Sequence, residues 1–406
     1  EGIVRWARQN RIPLVARGAG TSLDGESVPA ADAVVVDLSG WDTVYDVDPV
    51  DRLVRVGPGV INRALDRHLQ PFGLFFPPNP GSWTMSTIGG NVATNAAGPR
   101  SFKYGSVRRW VRAATVVLGT GERVALGGRS SKRSVGPDLL ELFVGSEGTL
   151  GFFAELTLAL SPRPSRRIGL VIPIPPAGPL GPLVHLLARG GPQGISAVEY
   201  LDERCAGALA AEAGSRFPVD RALILVELES ANPEGESAAL EELLQRLPSA
   251  GATEDPVVVS DVDELWTLRG RSGLALDREL GERIREDVAV PLSRLDDLLG
   301  AIQAIATRHK VEAPLFGHVG DGNLHPNFVV DPASSAATTI RRELLEATRR
   351  LGGTISGEHG VGALKAPYLP LELDQGSLRL LREVKRACDP DGLLNPGKLL
   401  PGPGGP

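Results

Sequence analysis

The 406-residue chain has little cysteine, no long apolar run and no excess of positive charge. Its two cysteines, Cys205 and Cys388, exclude a disulfide framework. They also leave too few thiolates for an iron–sulfur cluster or a four-cysteine zinc site, so any bound metal must use histidine and carboxylate ligands. A formal net charge of −6 provides no broad basic field for binding nucleic acid or an anionic membrane.

Signals for membrane insertion or secretion are also missing. No stretch reaches the roughly 18 consecutive apolar residues that a membrane span needs, and the N-terminus lacks a basic-then-apolar signal pattern. We therefore expect a cytoplasmic protein, with peripheral attachment to a membrane as an open alternative. Residues 1–10 predict an amphipathic helix leading into a strand, so the chain begins in mid-domain and we expect an upstream portion to be missing.

Hydrophobic residues make up 42% of the chain. This content and the length of the chain are enough for two or three compact units. Short β-branched runs at 33–38, 53–56, 115–118 and 156–160 alternate with helical or glycine-rich segments, which indicates an α+β first domain. The proline-rich stretch 161–182 is interpreted as a linker. A strand at 222–228 and helices at 236–247 and 292–308 are predicted beyond it, and the segment 389–400 cannot form a long helix because it contains Asn395-Pro396-Gly397.

A first glycine-rich loop, Arg17-Gly18-Ala19-Gly20-Thr21-Ser22, follows an apolar strand at 12–16. Its backbone N–H groups and small hydroxyls can converge on phosphate oxygens without obstruction by Cβ atoms. The dinucleotide fingerprint of nicotinamide enzymes would require glycine where Leu23 stands, so nicotinamide binding is disfavoured. Taken alone, this loop is equally compatible with an ordinary tight turn.

Two further loops favour a ligand over separate turns. The segment Pro77-Pro78-Asn79-Pro80-Gly81-Ser82 leads into a run from Thr87 to Gly98 that is dense in glycine, asparagine and alanine, and Lys103-Tyr104-Gly105 follows. The third loop is Val144-Gly145-Ser146-Glu147-Gly148-Thr149-Leu150-Gly151. Three such segments in one domain fit a long, polyhydroxylated ligand that carries a diphosphate.

A histidine and carboxylate cluster is predicted in the second half of the chain. Asp321-Gly322 is a strong hairpin turn signal, and with these residues as the loop His318 faces His325 directly. Cross-strand partners have Cβ atoms about 5 Å apart, close enough for two imidazoles to share one divalent ion. Asn327, two residues further along, is expected on the same face. Glu358 and His359, set between glycines, supply a carboxylate and another imidazole; the alternative is that all of these are ordinary polar residues of a hairpin.

The ordered motifs RGAGTS, PPNPGS with TIGGNVATNAAGPRSFKYG, LFVGSEGTLG, FGHVGDGNLHPN, GGTISGEHGVG and DPDGLLNPGK resemble the vanillyl-alcohol oxidase and p-cresol methylhydroxylase superfamily. Within it, the closer match is the branch of D-lactate, glycolate-oxidase-D-subunit and D-2-hydroxyglutarate dehydrogenases. The resemblance implies an α+β fold: a two-subdomain FAD-binding domain of the p-cresol methylhydroxylase type, and an α+β substrate or cap domain with an antiparallel sheet. The corresponding ranges are 1–161 for the FAD domain, 162–370 for the substrate domain and 371–406 for a segment that returns to the FAD domain.

The resemblance also implies which residues bind the cofactor: Arg17, Gly18, Ala19, Gly20, Thr21, Ser22, Pro80, Gly81, Ser82, Gly89, Gly90, Asn91, Thr94, Asn95, Glu147, Gly148, Gly151 and Asn395. Ser22, Asp24 and Glu26 depart from the commoner glycine-and-serine version of the first loop. Some relatives tether the flavin to a histidine or cysteine, but these loops contain no histidine and the chain has no cysteine before Cys205. We therefore expect FAD to be noncovalent.

The family's metal ligands map onto His318, His325 and Glu358, and its catalytic base maps onto His359. Zn²⁺ suits these ligands best, with Mn²⁺ or Fe²⁺ as alternatives. Arg269, in a Trp-x-x-Arg segment, and Arg285, before Asp287, are candidate clamps for a substrate carboxylate because guanidinium binds carboxylate bidentately. Relatives often have lysine at position 285. Arg271 and Arg283 are interpreted as solvated charges.

The expected activity is oxidation of a small D-2-hydroxy acid to the 2-oxo acid, with hydride transfer to flavin N5, His359 as base, and Asn327 and Arg269 orienting the substrate. Electrons are expected to leave to a separate acceptor: a quinone, a cytochrome or an electron-transfer flavoprotein. No nucleic-acid partner is expected, and a homodimer is compatible with the sequence. The alternatives are a noncatalytic flavin-binding subunit of a hydroxy-acid oxidase complex and a nonredox, alkyl-transferring relative.

Overall fold

The computed structural model describes residues 1–175, 178–190, 194–213, 221–230, 233–252 and 254–400. These residues form two compact units. The first contains Glu1–Gly98, Tyr104–Arg163 and the chain from Glu358 to the end of the described residues. The second contains Pro99–Lys103 and Pro164–Gly357. Within the described ranges, no helix is both long and apolar enough to cross a membrane.

The first unit begins with nine strands and intervening short helices. The helices are α1 (Gly2–Asn10), α2 (Asn62–Leu69), α3 (Ile88–Thr94) and α5 (Leu140–Phe143). Of α4 (Ser101–Tyr104), residues 101–103 belong to the second unit. The strands are β1 (Leu14–Arg17), β2 (Val34–Asp37), β3 (Val44–Asp48), β4 (Leu53–Val56), β5 (Leu74–Phe75), β6 (Val111–Leu118), β7 (Arg123–Gly127), β8 (Gly151–Ala159) and β9 (Ser161–Pro162).

A five-stranded antiparallel sheet, in the order β3-β4-β8-β6-β7, carries the core of this unit. Its central strands place Val56, Leu156 and Leu158 in the interior, where they cluster with Leu65 of α2 and Ile88 of α3. β1 and β2 pair in parallel, and β5 pairs with β9. The first glycine-rich loop follows β1, the second contains α3, and the third leads into β8.

The second unit is built on a larger antiparallel sheet. Its strands are β10 (Arg166–Ile174), β11 (Ile195–Leu201), β12 (Ala222–Ser230), β13 (Val257–Val259), β14 (Ile284–Arg285), β15 (Val288–Ala289), β16 (Leu315–Gly317) and β17 (Asn323–Phe328). They run in the order β13-β10-β12-β11-β16-β17-β14, and β15 also pairs with β17. The helices are α6 (Gly181–His185), α7 (Glu203–Ala213), α8 (Pro233–Arg246), α9 (Val262–Arg269), α10 (Ser272–Leu280), α11 (Leu295–His309) and α12 (Ser335–Arg350).

The last part of the chain returns to the first unit. There, α13 (Gln375–Cys388) is capped at its N-terminus by the side chain of Asp374, which accepts a hydrogen bond from Ser377 N. Beyond it, Leu14 N donates to Leu393 O and Asn395 N donates to Leu14 O, so the segment 393–395 lies alongside β1. The prediction that 389–400 contains no long helix is confirmed.

Most predicted elements are found, including the first helix, the strands at 33–38 and 53–56 and the helix at 236–247. The predicted linker at 161–182 is wrong, because β9 and the nine-residue strand β10 occupy residues 161–162 and 166–174 of that stretch, of which residues 176–177 lie outside the described ranges. The buried run from Leu170 to Ile174 pairs with β12, and Pro173 is accommodated near the end of the strand opposite Leu223. The proline content of this stretch predicted a linker, but its β-branched apolar residues form a strand.

Candidate functional site

The first glycine-rich loop leaves β1 at Arg17, and its backbone passes close to the second loop. A Cβ atom on Gly18 would lie 2.0 Å from Thr87 Oγ1, the side chain that caps α3 by accepting from Gly90 N at 3.2 Å. Gly20 has a φ of +69°, a conformation that favours glycine. Ala19 and Gly20 are exposed. The loop therefore presents backbone to the outside while it packs closely against the cap of α3.

The second loop is held by similarly close backbone contacts. Gly89 N donates to Pro58 O at 2.8 Å, and a Cβ atom on Gly89 would lie 2.6 Å from Pro58 Cβ. A Cβ atom on Gly98 would lie 2.3 Å from Asn79 O. These two glycines are fixed by packing inside the protein, whereas Gly81 is exposed at the tip of the loop.

The third loop is attached to α3. Gly145 N donates to Val92 O at 3.0 Å and Glu147 N donates to Ala93 O at 2.8 Å. Glu147 has a φ of +53°, which is uncommon for a side chain other than glycine. The three loops therefore converge on α3 within the first unit, as expected for three segments that share one ligand.

The side chain of Asn395 connects the segments of Glu26 and Glu147 by hydrogen bonds. Its Nδ2 donates to Glu147 O at 2.7 Å and to Glu26 O at 2.9 Å, and its side chain is buried. Asn395 N also donates to Leu14 O at 2.8 Å. The residue implied as a cofactor contact is therefore placed where it fixes the backbone of the first and third loops relative to β1.

Three predicted cofactor residues carry structural contacts instead of open polar atoms. Thr94 Oγ1 donates to Gly90 O at 3.1 Å inside α3. Asn95 ends that helix with a φ of +51°, and its Oδ1 accepts from Ser106 Oγ at 3.0 Å and Arg108 N at 3.1 Å. A Cβ atom on Gly151 would lie 2.5 Å from Val116 Cγ1, so this glycine permits the pairing of β8 with β6.

The residues present fit a flavin dinucleotide. Among the described residues, Asn91 Nδ2, Ser146 Oγ and Asn395 Oδ1 are buried atoms with no hydrogen-bond partner in the protein, and all three belong to the predicted loops or the C-terminal motif. A buried polar atom without a partner is costly, and a ligand rich in hydroxyl and phosphate groups would satisfy all three atoms.

Three carboxyl groups of the first unit are buried: those of Asp24, Glu26 and Glu147. Glu147 accepts from Val361 N at 2.6 Å and from Gly362 N at 2.9 Å. Burial raises the pKa of the Glu147 carboxyl from 4.5 to about 8, against the opposing effect of those hydrogen bonds, and the nearby Glu26 carboxyl raises it further. Burial likewise raises the pKa of Glu26. Asp24 lies 3.4 Å from Nζ of the buried Lys365. The departures from the commoner loop at positions 24 and 26 thus place two buried carboxyl groups inside the unit.

In the second unit, His318 and His325 are buried and their ring centroids are 5.2 Å apart, with the planes nearly perpendicular. The predicted proximity of the two imidazoles is confirmed. The predicted register is wrong, because His325 pairs with Phe316 and His318 lies beyond β16, before a 3-10 turn at Val319–Asp321. The connection is longer than two residues, and the shift by two residues along the strand preserves the face on which the side chains lie.

Each imidazole has a buried carboxylate near its Nδ1 atom. His318 Nδ1 is 2.6 Å from Glu199 Oε1, and His325 Nδ1 is 3.5 Å from Asp287 Oδ1. Asp287 also accepts from Asn323 Nδ2 at 2.7 Å and from Ser356 Oγ at 3.1 Å. Metal-ligating histidines commonly have such a carboxylate, which fixes the ring and leaves Nε2 for the metal.

The sequence motifs predict no role for Glu199 or Asp287. The signal available for Glu199 is that a carboxylate interrupts the apolar strand β11, every residue of which is buried. A charged residue in such a strand requires a partner. Sequence spacing does not indicate which residue that partner is, because His318 lies 119 positions away.

The two candidate carboxylate clamps, Arg269 and Arg285, differ in burial. Arg269 is buried: its Nε donates to Glu199 Oε2 at 2.8 Å, and its guanidinium lies 4.9 Å from the centre of the Phe316 ring. Arg285, the other candidate clamp, is exposed and pairs with Asp277.

The interpretation of Arg283 as a solvated charge is wrong. It is buried, its Nε donates to Asn327 Oδ1 at 3.0 Å, and its Nη2 donates to Gly273 O at 2.8 Å. Asn327 Nδ2 donates to His325 O at 2.7 Å. Arg283 precedes β14, which begins at Ile284, and both arginines pair with Asp277. Sequence alone did not show which of the two is buried.

Glu358 and His359 begin the part of the chain that returns to the first unit, and both are half-buried. Glu358 Oε1 is 3.9 Å from His359 Nε2. Gly357, which precedes them, belongs to the second unit, and a Cβ atom there would lie 2.2 Å from Asn323 Nδ2 and 2.8 Å from Asp287 Oδ1. Glycine at position 357 therefore lets the chain pass directly against the carboxylate that lies behind His325.

Comparison with known proteins defines the class of the protein. Residues 183–399 match the family described as FAD linked oxidases, C-terminal domain, and residues 1–127 match the FAD binding domain. The chain belongs to the FAD-linked oxidase family, is an oxidoreductase and uses FAD.

Curated relatives cover nearly the whole chain. The glycolate oxidase subunit GlcD of Bacillus subtilis is 34% identical over 98% of this chain and 86% of its own length. The D-lactate dehydrogenase of Archaeoglobus fulgidus is 34% identical over 98% and 88%, respectively. The D-2-hydroxyglutarate dehydrogenase of Stutzerimonas stutzeri is 30% identical over 98% and 88%.

Solved structures show the same fold at low identity. The structure of p-cresol methylhydroxylase with substrate bound aligns with a TM-score of 0.79 over 99% of this chain and 86% of its own, at 14% identity. A structure of alkyldihydroxyacetonephosphate synthase aligns with a TM-score of 0.73 over 98% and 75%, at 17% identity. These likenesses confirm the predicted α+β architecture of the p-cresol methylhydroxylase type.

Proposed function

We propose that this enzyme oxidises a small D-2-hydroxy acid, of the D-lactate, glycolate or D-2-hydroxyglutarate type, to the 2-oxo acid. The names of the relatives support this class of substrate. The single observation that carries the proposal further is the pair of buried imidazoles, His318 and His325, with a carboxylate near each ring. In this proposal residues 1–161 and 371–406 hold FAD and residues 162–370 hold the substrate.

A divalent metal is proposed at His318, His325 and Glu358. The two rings supply the imidazole nitrogens that Zn²⁺ prefers, and Mn²⁺ or Fe²⁺ are the alternatives. Glu358 is proposed as the third ligand because the resemblance of the motif GGTISGEHGVG implies that role. Three protein ligands leave coordination positions for substrate oxygens.

When bound, FAD would supply the hydride acceptor at flavin N5, and a metal held by His318, His325 and Glu358 would supply a Lewis acid for the substrate hydroxyl. His359 accepts the hydroxyl proton as the Cα–H bond is broken, so the substrate loses one proton to the protein and one hydride to the cofactor. Asn327 orients the substrate within the second unit. Its amide is already held by Arg283, which keeps it from rotating.

Arg269 is proposed to bind the substrate carboxylate with the part of its guanidinium that does not face Glu199, since Nε and Nη2 are directed at that carboxylate. Arg285 is proposed as a second, outer contact because it is exposed. FAD is proposed to be noncovalent, and a separate quinone, cytochrome or electron-transfer flavoprotein is proposed to reoxidise it.

The function is tested by mixing FAD-loaded enzyme anaerobically with D-lactate, glycolate, D-2-hydroxyglutarate and the L-isomers, and following flavin absorbance. Bleaching by at least one D-acid or by glycolate, with none by the L-isomers, supports the proposal. Absence of bleaching with every acid indicates a noncatalytic flavin subunit or a nonredox reaction. Enzyme freed of metal with a chelator tests the metal separately, since an unchanged rate of flavin reduction would exclude its role.

A further inference from the structure

Two residues of the proposed site, His318 and Arg269, meet at a third residue, Glu199. Glu199 is fully buried in the middle of β11. Its Oε1 atom lies 2.6 Å from His318 Nδ1, and its Oε2 atom accepts from Arg269 Nε at 2.8 Å and lies 2.5 Å from Arg269 Nη2. A single carboxylate thus connects an imidazole to a guanidinium inside the second unit.

The backbone sets this contact. β11 pairs with β16, with Tyr200 opposite Gly317, the residue before His318. His318 follows the end of β16 immediately, so its side chain is held beside β11 at the level of Glu199. Because neighbouring strands are about 4.8 Å apart, the register alone brings the carboxylate within reach of the ring. The contact does not depend on a flexible surface side chain.

The chemistry of the contact selects one form of the imidazole. An ionised carboxylate only accepts hydrogen bonds, so Nδ1 of His318 must carry the proton in this hydrogen bond. In the neutral ring the other nitrogen, Nε2, is then unprotonated, which is the form that a metal ligand requires. Arg269 supplies the positive charge that a buried carboxylate needs, and it holds the second oxygen in place.

We propose that Glu199 is a positioning residue that fixes His318 as the Nδ1–H tautomer and directs Nε2 toward the divalent metal. The proposal rests on the proposed function for the presence of the metal. Asp287 does not provide the same evidence for His325, because its 3.5 Å separation from His325 Nδ1 is longer than a strong hydrogen bond and its oxygens accept from Asn323 and Ser356.

The chain offers a matched control in Glu227. This residue is also a fully buried glutamate on the same sheet, and it is paired with Arg167 at 2.8 Å and hydrogen-bonded to Trp266. Glu227 lies opposite Ala197 in the register of β11 and β12, two residues from Glu199 along β11. Replacing either glutamate removes a buried, arginine-paired carboxylate, but only Glu199 contacts His318.

The first experiment measures metal affinity. Zn²⁺ is titrated into metal-free, FAD-loaded full-length protein in competition with a chromophoric chelator. We expect Glu199→Gln to weaken Zn²⁺ binding by about 10- to 100-fold, the usual effect of losing such a carboxylate, and Glu227→Gln to leave it within about threefold. Wild-type affinity in Glu199→Gln would overturn the proposal. If that variant does not fold, Glu199→Asp keeps the charge but withdraws it from the ring, and the same loss of affinity is expected.

The second experiment reads the tautomer directly and needs no metal. The chain has six histidines, so selective ¹⁵N labelling of histidine gives a tractable spectrum in which His318→Asn assigns the His318 signals. We expect Nδ1 of His318 to carry a proton in the metal-free wild type. A ring whose Nδ1 is unprotonated would overturn the proposal. If wild-type protein binds no metal, the metal centre of the proposed function fails, while the tautomer still decides the role of Glu199.

Discussion

Asn395 Nδ2 donates a 2.7 Å hydrogen bond to the backbone carbonyl of Glu147, 248 positions earlier in the chain. A second hydrogen bond from the same amide reaches Glu26 O. Through these contacts the C-terminal motif braces two of the loops implied to bind FAD.

Asn395→Ala should therefore weaken both folding and FAD binding. Two buried carbonyls would lose their donor, at about 1–3 kcal/mol each, and alanine would have to adopt a φ of +45°. We expect the free energy of unfolding to fall by about 2–4 kcal/mol. Chemical denaturation and flavin-fluorescence titration measure the two effects. The control is Asn10→Ala, at an exposed residue whose amide bonds Trp6 O within its own helix. Equal behaviour of the two variants would contradict the bracing role.

Gly18→Ala should disturb the first loop by steric overlap, because the new Cβ atom would lie 2.0 Å from Thr87 Oγ1. Thr87 cannot rotate away without losing the cap of α3. We expect a loss of about 1–3 kcal/mol in stability, as in other overpacked sites, and weaker FAD binding. Gly40→Ala is the matched control, since no atom lies within 4 Å of its added Cβ. An unchanged FAD dissociation constant in Gly18→Ala would contradict the close approach of the two loops.

Glu147 predicts a pH dependence of stability. Burial raises its folded-state pKa to about 8 from an ordinary 4.5, so folding favours the protonated form. Its contribution is fully present below about pH 4.5 and is lost as pH rises toward 8, at up to about 1.4 kcal/mol per pH unit. Glu147→Gln should therefore flatten the decline of unfolding free energy between pH 5 and 8 in FAD-free protein. Denaturant titrations across that range measure the slope.

The control for this experiment is Glu122→Gln, a change at an exposed carboxyl of the same unit. This variant should retain the wild-type slope. A Glu147→Gln protein whose stability declines with pH as steeply as that of the wild type would show that Glu147 does not titrate in this window.

Substitution of Arg283 should lower the stability of the protein more than substitution of Arg285. Arg283→Met removes a buried guanidinium that bonds Asn327 and Gly273 O, and we expect a loss of about 1–3 kcal/mol in stability. Arg285→Met removes an exposed side chain and should cost less than about 1 kcal/mol, while it raises KM if Arg285 contacts the substrate carboxylate. Thermal unfolding and steady-state kinetics separate these effects. Similar losses of stability in both variants would contradict the finding that Arg283 is buried and Arg285 is exposed.

The fold was largely predictable because local sequence patterns predict most of its strands. Runs such as Leu53–Val56 are short, β-branched and bounded by turns, and they form strands as predicted. The stretch from Arg166 to Ile174 was mistaken for a linker because its prolines dominated the local signal. Only pairing with β12, more than 50 residues later, shows that it is a central strand.

The candidate site was predictable in its residue types and less so in its geometry. The glycine loops and the two histidines could be found because they are dense local motifs. The register of His325 depends on a connection in which Val319–Asp321 forms a 3-10 turn, which the Asp-Gly signal did not reveal. Glu199 could not be linked to His318 at all, since strand order in the sheet, not sequence separation, brings them together.

The central claim is that His359 removes the hydroxyl proton of a D-2-hydroxy acid while hydride is transferred to the flavin. Its most direct test is anaerobic single-turnover reduction of FAD-loaded wild type and His359→Asn by the acid that bleaches the wild type fastest. We expect unchanged FAD content in the variant, and flavin reduction slowed by at least about 100-fold, the usual effect of losing a general base. Reduction of the variant at the wild-type rate would contradict it.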